Sequence, residues 1–353
     1  MKTGRTLQEM AIELDRQAKV KRDLIVDIGA MHMDTNDRGL ELRVGNVNSY
    51  EAFGINNIAH RQFGEHFKIP AKYYDRMLTE APDLLAKNVN RWISEEPDAR
   101  RMLRTLDGTT RAFLSDRYRR IDNFEVAQTV LPIIGNMDGA NVESCELTES
   151  RMYIKVVNPR ITAEVTKGDI VQAGIVISNS EVGQGSVAIK PLIFRLVCTN
   201  GMIAEDGAIR KYHVGRSNEA DDNFNIYRDE TIEADDKAFM MKIEDAVTAA
   251  VDQARFSKIV ERLRESTEAK IVPASVPKVI ELTAKEYSIT QNESEGILGH
   301  LIAGGDLSLY GLANAVTRHA QDVESYDRAT ELEATGFRIV TMAPAFWRQL
   351  TKV

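Results

Sequence analysis

Residues 102–115 read MLRTLDGTTRAFLS, a stretch in which a two-residue turn separates two strand-like runs. The runs 102–106 and 110–115 flank Asp107-Gly108, and both turn residues tolerate the positive φ that a tight hairpin turn requires. The stretch therefore predicts a pair of antiparallel strands, and the rest of the predicted fold is built outward from this hairpin.

The residues after the hairpin predict a helix and then a meander of strands. Asp122 and Glu125 form a capping box, and apolar residues recur at helical spacing from there to Gly135. Strands are predicted at 141–147, 151–157, 170–178 and 208–214. The run 186–198 fits either a strand throughout or a strand that becomes a helix after Pro191. Together these elements predict an α+β fold, with an antiparallel β-sheet core and a helix packed on one face.

Both ends of the chain are predicted to be mainly helical. Thr6 and Glu9 form a capping box for a first helix. Three more helices are expected before the hairpin, at 57–67, 71–80 and 83–94, beside one short strand at 40–44. Four are expected after the core, at 235–268, 275–287, 290–303 and 307–323. The predicted organisation is a mainly helical N-terminal region (1–98), the sheet-plus-helix core (99–217), an acidic linker (218–236) and a helical C-terminal region (237–353).

The composition is that of an ordinary globular protein. Apolar residues make up 43% and charged residues 28% of the 353 residues, which is enough apolar material for a hydrophobic core. The first residues lack the apolar segment of a signal peptide, and no apolar run is long enough to span a bilayer. Cys145 and Cys198 are too few for a disulfide framework and are expected to be free. We therefore expect a cytoplasmic protein without a membrane partner.

Charge is strongly segregated along the chain. The net charge is −8, which argues against a protein that coats nucleic acid with its whole surface. Between residues 100 and 120, however, seven arginines stand against two aspartates, whereas residues 219–236 contain eight acids and one arginine. Because a phosphate backbone responds to local charge, the arginine-rich run is the first candidate for a nucleic-acid contact.

Cations and aromatic rings share faces of two predicted strands. By the two-residue period, Arg111, Arg117 and Arg119 fall on one face of a strand over 110–120, and Tyr118 reaches that face only through a bulge. In the strand 151–157 one face presents Arg151, Tyr153 and Lys155. Single-stranded nucleic acid binds surfaces of this composition, because guanidinium groups neutralise phosphates and rings stack on bases. The predicted binding residues are Arg111, Arg117, Tyr118, Arg119, Arg120, Arg151, Tyr153 and Lys155. The alternative is that these cations form salt bridges on a solvated sheet face.

Other candidate chemistry is weaker. The acidic segment fits a solvated linker, a site for a divalent cation, or a shield over the arginines. Asp116 and Asp122 are candidates for a metal-dependent nuclease pair. The six histidines (32, 60, 66, 213, 300 and 319) contain no HExxH pattern, so no metal ligand is expected among them. Phosphate-binding loops, dinucleotide fingerprints and GxSxG are absent from the sequence. No catalytic residue and no cofactor are therefore predicted.

Five short stretches resemble the phage/plasmid-like protein family, also described as domain of unknown function 932. They read IPAKYYDRM (69–77), LLAKNVN (84–90), FLSDRYRRIDN (113–123), VCTNG (197–201) and YGLANAVTR (310–318). The resemblance implies a protein of a bacteriophage, prophage or plasmid and transfers no catalytic residue. The element order is also broadly similar to the core of single-strand annealing recombinases, and element order alone does not establish function.

These observations lead to one functional hypothesis and two alternatives. The leading hypothesis is a non-enzymatic protein that binds single-stranded nucleic acid, such as an annealing, recombination or replication accessory factor, with a homo-oligomer as a further expectation. The first alternative is an anti-defence or other interaction factor that engages a protein partner through the acidic segment. The second is a metal-dependent enzyme acting on nucleic acid.

Overall fold

The computed structural model describes residues 1–37, 39–46, 49–205, 208–211, 229–250 and 253–351. Over these residues the chain is an α+β protein with two sheets that are mainly antiparallel, and with helices packed around them. The predicted fold class and the helical C-terminal region are confirmed. Among the described residues, no helix combines the length and the apolar composition that a membrane span requires.

The predicted hairpin lies inside a six-stranded first sheet. Its strands are β1 (Arg22–Asp27), β2 (Met31–Asn36), β3 (Gly39–Asn46), β4 (Ser49–Ile55), β5 (Arg100–Leu106) and β6 (Thr109–Ser115), in the spatial order β1-β5-β6-β4-β3-β2. The hairpin turn between β5 and β6 has φ of 51° at Asp107 and 74° at Gly108. These are the positive φ values that the sequence predicts for a tight hairpin turn. Because β1 and β4 pair with β5 and β6, the boundary predicted between residues 98 and 99 falls inside a hydrogen-bonded sheet.

Three consecutive helices cover one face of the first sheet. They are α2 (Asn57–His66), α3 (Ala71–Glu80) and α4 (Pro82–Ile93), close to the predicted bounds. Phe63 of α2 stacks on Phe113 of β6 with ring centroids 4.3 Å apart, and Leu85 of α4 is fully buried in the same core. Pro82 occupies the first turn of α4, where its missing N–H leaves no hydrogen bond unmade.

The predicted meander forms the second sheet. Its strands are β7 (Asn141–Leu147), β8 (Met152–Glu164), β9 (Ile170–Asn179), β10 (Val187–Arg195), β11 (Asn200–Ile203) and β12 (Ile209–Lys211), in the order β11-β10-β9-β8-β7 with β12 also paired to β10. The open question over 186–198 is settled as a strand that ends at Arg195, with no helix after Pro191. Pro191 lies between the residues of β10 that pair with β12 and those that pair with β11, so its missing N–H interrupts neither ladder.

Helices cover both faces of the second sheet. The first face packs against α1 (Leu7–Val20), α5 (Asn123–Asn136) and α6 (Asp229–Ala250). A helical bundle consists of α7 (Gln253–Glu268), α8 (Val276–Glu286), α9 (Gln291–Gly304), α10 (Leu309–His319), α11 (Tyr326–Val340) and α12 (Pro344–Thr351), and it packs against β9, β10 and β11. Its helix α11 covers the other face of the sheet, where it packs near Tyr153 of β8 and Leu192 of β10. The sheet is therefore buried on both sides.

The acidic segment is only partly described. Residues 219–228 lie outside the described residues, as do His213 and Arg216. From Asp229 onward the segment is the first part of α6, so its described portion is helix. The single helix predicted over 235–268 corresponds to α6 and α7, and residues 251–252 between them lie outside the described range.

Candidate nucleic-acid interface

A loop of seven residues, 116–122, connects β6 to α5 and carries Arg117, Arg119 and Arg120; we call it the arginine loop. The predicted strand over 110–120 ends at Ser115, so the two-residue alternation does not continue through these arginines. Asp122 caps α5 together with Glu125, as the sequence indicates. The arginines at 117, 119 and 120 therefore lie on a loop, whereas the sequence predicts that 117 and 119 share one face of a strand.

The three arginines of the loop differ in their contacts. Arg117 is exposed and has no ion pair with any residue in the described part of the chain. The side chain of Arg120 is 58% exposed, and its guanidinium lies 3.7 Å from a carboxylate oxygen of Asp23. Arg119 contacts Asp235 of α6 with an N–O distance of 2.5 Å. Two guanidinium groups are thus open to an external anion, and the third contacts the described end of the acidic segment.

A buried charge network lies beneath the loop. Arg104 of β5, which is fully buried, donates to both carboxylate oxygens of Asp23 at 2.8 and 3.2 Å, and to Asp122 at 2.5 Å. Lys21 donates to the second oxygen of Asp122. Burial by itself would raise the pKa of Asp122, but the Arg104 charge and the Lys21 hydrogen bond outweigh it, so the pKa is lowered. The first turn of α5 is thereby tied to β1 and β5.

Arg111 belongs to this network and does not face solvent. The residue is 9% exposed, and its guanidinium donates to Glu181, which is 4% exposed and lies in the loop between β9 and β10. The other oxygen of Glu181 accepts from the backbone N–H of Asn123 at 2.6 Å. The expectation that Arg111 lies on an open cationic face is wrong, because the β9–β10 loop covers this part of β6.

Lys155 and Tyr153 are also buried, contrary to the predicted open face of β8. Lys155 is fully buried and donates to Glu333 of α11 at 2.7 Å, with its ammonium 4.5 Å from the ring centroid of Tyr326. Tyr153 is 5% exposed, and its ring centroid lies 5.5 Å from that of Tyr326. The physical reason is that α11 packs on this side of the sheet. Alternating cationic and aromatic positions here indicate an internal ion pair and not a solvated surface.

Tyr118 and Arg151 flank the β9–β10 loop (residues 180–186). Tyr118 is 9% exposed and donates from its hydroxyl to the carbonyl of Ser180 at 3.1 Å, so its ring is not available for stacking. Arg151 is partly buried, and its guanidinium donates to the carbonyl of Gln184. A Cβ at Gly185 would lie 2.5 Å from this guanidinium, so the close approach of Arg151 requires glycine there.

A groove of about 710 Å³ runs between α5 and α6 and reaches the arginine loop. Arg120 and Lys237 contribute cations to its wall, and Glu125 and Glu244 contribute anions. Pro132, Ile133 and Met240 form its apolar part. The groove thus combines an apolar surface with cationic groups beside the exposed arginines.

The structure also locates the remaining candidates. Asp116 is exposed, whereas both oxygens of Asp122 contact cations, so these two aspartates do not form an open metal-binding pair. Cys145 and Cys198 are free, as expected.

The sequence did not predict a cluster of potential metal ligands in which His300, His319 and Asp322 come together. The spacing of three residues between His319 and Asp322 was the available signal, because such residues share one face of a helical turn.

Comparisons with known proteins identify a family without assigning an activity. Residues 112–340, more than half of the chain, match the family model described as Domain of unknown function (DUF932). The matched range includes the arginine loop, the second sheet and the helices from α5 to α11. The chain matches no curated protein and no solved structure.

Proposed function

The chain belongs to the family of the domain of unknown function DUF932, and we propose that it binds single-stranded nucleic acid through the arginine loop. Within this proposal the protein is an annealing, recombination or replication accessory factor of a phage or plasmid, acts in the host cytoplasm, and does no chemistry on the strand. A homo-oligomer would place several loops along one strand and raise the affinity by effective concentration.

The observation that carries the proposal is the exposure of Arg117 and Arg120 on a loop whose base is held rigidly. Below the loop, Arg104 and Lys21 bind both oxygens of Asp122, at the start of α5. Anchoring of this kind fixes the backbone from which Arg117 and Arg120 project, so binding does not incur the entropy cost of ordering the loop.

The contacts favour recognition of phosphates over recognition of bases. The tyrosines that would stack on bases, Tyr118 and Tyr153, are buried, whereas the exposed groups of the loop are guanidiniums. The groove between α5 and α6 offers Pro132, Ile133 and Met240 as an apolar surface for a base beside Arg120. Binding by phosphate neutralisation is insensitive to sequence and weakens steeply with salt.

The test is fluorescence anisotropy of the full chain with a labelled single-stranded oligonucleotide at several salt concentrations. For wild type, we expect log K to fall linearly with log salt. The double variant Arg117→Ala/Arg120→Ala removes two phosphate contacts, so the slope is expected to decrease in magnitude by about 1.4, at about 0.7 per phosphate for single strands. The affinity at low salt is expected to fall about 10-fold or more.

The matched control removes two exposed arginines from another surface. Arg76 of α3 and Arg91 of α4 have side chains 71% and 73% exposed, so Arg76→Ala/Arg91→Ala changes the net charge by the same amount. The control should bind like wild type. Absence of binding at low salt would overturn the proposal, and equal losses in the two double variants would show that general charge, and not the arginine loop, is responsible.

A further inference from the structure

Three potential metal ligands meet where α9 packs against the end of α10. His300 lies on α9, His319 is the last residue of α10, and Asp322 lies in the turn that follows. One atom from each side chain lies within 4.8 Å of the others. The cluster lies in the helical bundle and contains no residue of the arginine loop.

One oxygen of Asp322 is shared by the two imidazoles. Its Oδ2 atom lies 2.5 Å from Nε2 of His300 and 3.6 Å from Nδ1 of His319. The other oxygen, Oδ1, accepts from Arg318 at 3.2 Å. The arginine therefore binds Oδ1, and the imidazoles lie next to Oδ2.

His319 presents a nitrogen that the surrounding protein does not satisfy. Its Nδ1 atom is buried and has no hydrogen-bond partner among the described residues. A ring nitrogen that carries no proton and has no other partner is the atom through which imidazole coordinates a metal.

Gly296 makes the position of this ring possible. A Cβ at residue 296 would lie 2.4 Å from both Cε1 and Nδ1 of His319, closer than any real carbon contact. Glycine at this point in α9, where it lowers helix propensity, thus leaves the space that the coordinating edge of His319 occupies.

We propose that His300, His319 and Asp322 bind one divalent transition-metal ion of the zinc type, with water at the fourth position. Tetrahedral zinc with ligands at about 2.0–2.1 Å requires ligand atoms about 3.3 Å apart. The 3.6 Å separation of Asp322 and His319 is close to this value, and the 2.5 Å hydrogen bond from His300 needs to lengthen by less than about 1 Å. The side chains of His300 and Asp322 are 25% and 42% exposed, so an ion and its water can enter from solvent.

The ligand set selects the class of ion. Two imidazole nitrogens and one carboxylate suit Zn²⁺, Co²⁺ and related ions, whereas Mg²⁺ and Ca²⁺ prefer sites made of oxygen atoms only. The bound ion would connect α9 to the end of α10. Because the unfolded chain does not hold the three ligands together, binding would stabilise the folded protein by mass action.

The experiment is a Co²⁺ titration of the full chain after removal of metals by a chelator, followed by competition with Zn²⁺. We expect one equivalent of Co²⁺ to give a visible absorption band that Zn²⁺ abolishes, and Zn²⁺ to raise the melting temperature. His300→Gln and Asp322→Asn each remove an exposed ligand and should weaken binding at least about 10-fold. Either variant keeping wild-type affinity, or the absence of saturable binding of one equivalent, would overturn the proposal.

Two glycines of α9 provide a matched pair that leaves all three ligands in the chain. Gly296→Ala should displace His319 and weaken Co²⁺ binding, whereas Gly299→Ala should bind like wild type, because a Cβ at residue 299 meets nothing within 4 Å. Circular dichroism shows whether each variant is folded. If Gly296→Ala does not fold, the two ligand variants decide the matter alone. His32→Gln, which changes an exposed histidine of β2, controls for adventitious binding.

Discussion

The interior of the second sheet and the arginine loop contain the same kind of sequence, in which cations alternate with other residues. The exposure of the cations differs between the two regions. In β8, Lys155 is fully buried against Glu333 of α11. In the loop, Arg117 is exposed and the Arg120 side chain is 58% exposed. The difference arises from what packs above each segment: a helix with a matching carboxylate covers β8, and no described element covers Arg117. A cationic pattern therefore indicates either an ion pair or a surface, depending on the covering element.

The two situations have different energetic consequences. A buried ion pair has lost the hydration of both charges, so removing one partner leaves the other charged and unsolvated. An exposed pair keeps its water, and its net contribution to stability is small. Substitutions in the two regions should therefore separate by several kcal/mol, which makes the comparison testable.

The largest effect is expected in the interior of the second sheet. Lys155→Met leaves Glu333 uncompensated, and we expect the free energy of unfolding to decrease by about 3–5 kcal/mol, measured by urea denaturation. The double variant Lys155→Met/Glu333→Leu removes both charges and should recover most of this loss. Lys87→Met breaks a pair in which both side chains are more than 60% exposed and should change stability by less than about 1 kcal/mol. Similar losses in the two lysine variants would contradict the comparison.

A pH-dependent effect is expected from α2, which packs on the first sheet. His60 of this helix is 7% exposed, and its Nδ1 atom lies 2.9 Å from the hydroxyl of Tyr74 of α3. Burial, with a smaller contribution from Arg61, lowers the pKa of His60 to about 4. The unfolded chain takes up this proton near pH 6.5 and the folded chain only near pH 4, so stability falls as the pH drops through this range, by up to about 3 kcal/mol. His60→Gln should flatten the dependence of unfolding free energy on pH in this window, and His32→Gln should not. Identical pH profiles for wild type and His60→Gln would exclude this contribution.

The smallest effect is expected at the contact between the arginine loop and α6. Asp235→Ala removes a carboxylate that is 58% exposed and binds Arg119. The Arg119 side chain is 18% exposed, so the substitution acts by removing one negative charge beside the arginine loop. A surface charge interaction is worth about 0.2–1 kcal/mol, so the affinity for a single-stranded oligonucleotide should rise by about 1.4- to 5-fold at low salt. Asp15→Ala breaks an exposed pair on α1 and is the matched control. Anisotropy titrations would contradict the expectation if Asp235→Ala bound no more tightly than this control.

Local signals predicted the elements of the core well. The Asp107-Gly108 turn, the capping box of Asp122 with Glu125 and the strand over 141–147 appear as predicted, because turn and cap residues act on their immediate neighbours. Strands β1, β2, β4 and β11 were missed. In β1 no residue is buried and in β4 only Phe53 is, so an apolar alternation with a two-residue period is weak in these segments.

The candidate site residues divide into surface residues and buried residues. Arg117 and Arg120 remain on the surface, whereas Arg111 is covered by Glu181, about 70 residues away in the chain, and Lys155 by Glu333, still farther away. Neither partner is visible from local spacing, because a buried ion pair depends on contacts between elements distant in sequence. His300 of α9 meets His319 of α10 and Asp322 of the following turn for the same reason.

By itself, the sequence determined the α+β class, the hairpin, the helix caps, the segregation of charge and the family, because these follow from local spacing, composition and short motifs. Only the tertiary structure decided that helices cover both faces of the second sheet, that Arg104, Arg111 and Lys155 are internal, and that a loop presents the exposed arginines. The physical reason is that a side chain's exposure depends on the element packed above it, and packing is determined by contacts across the whole chain.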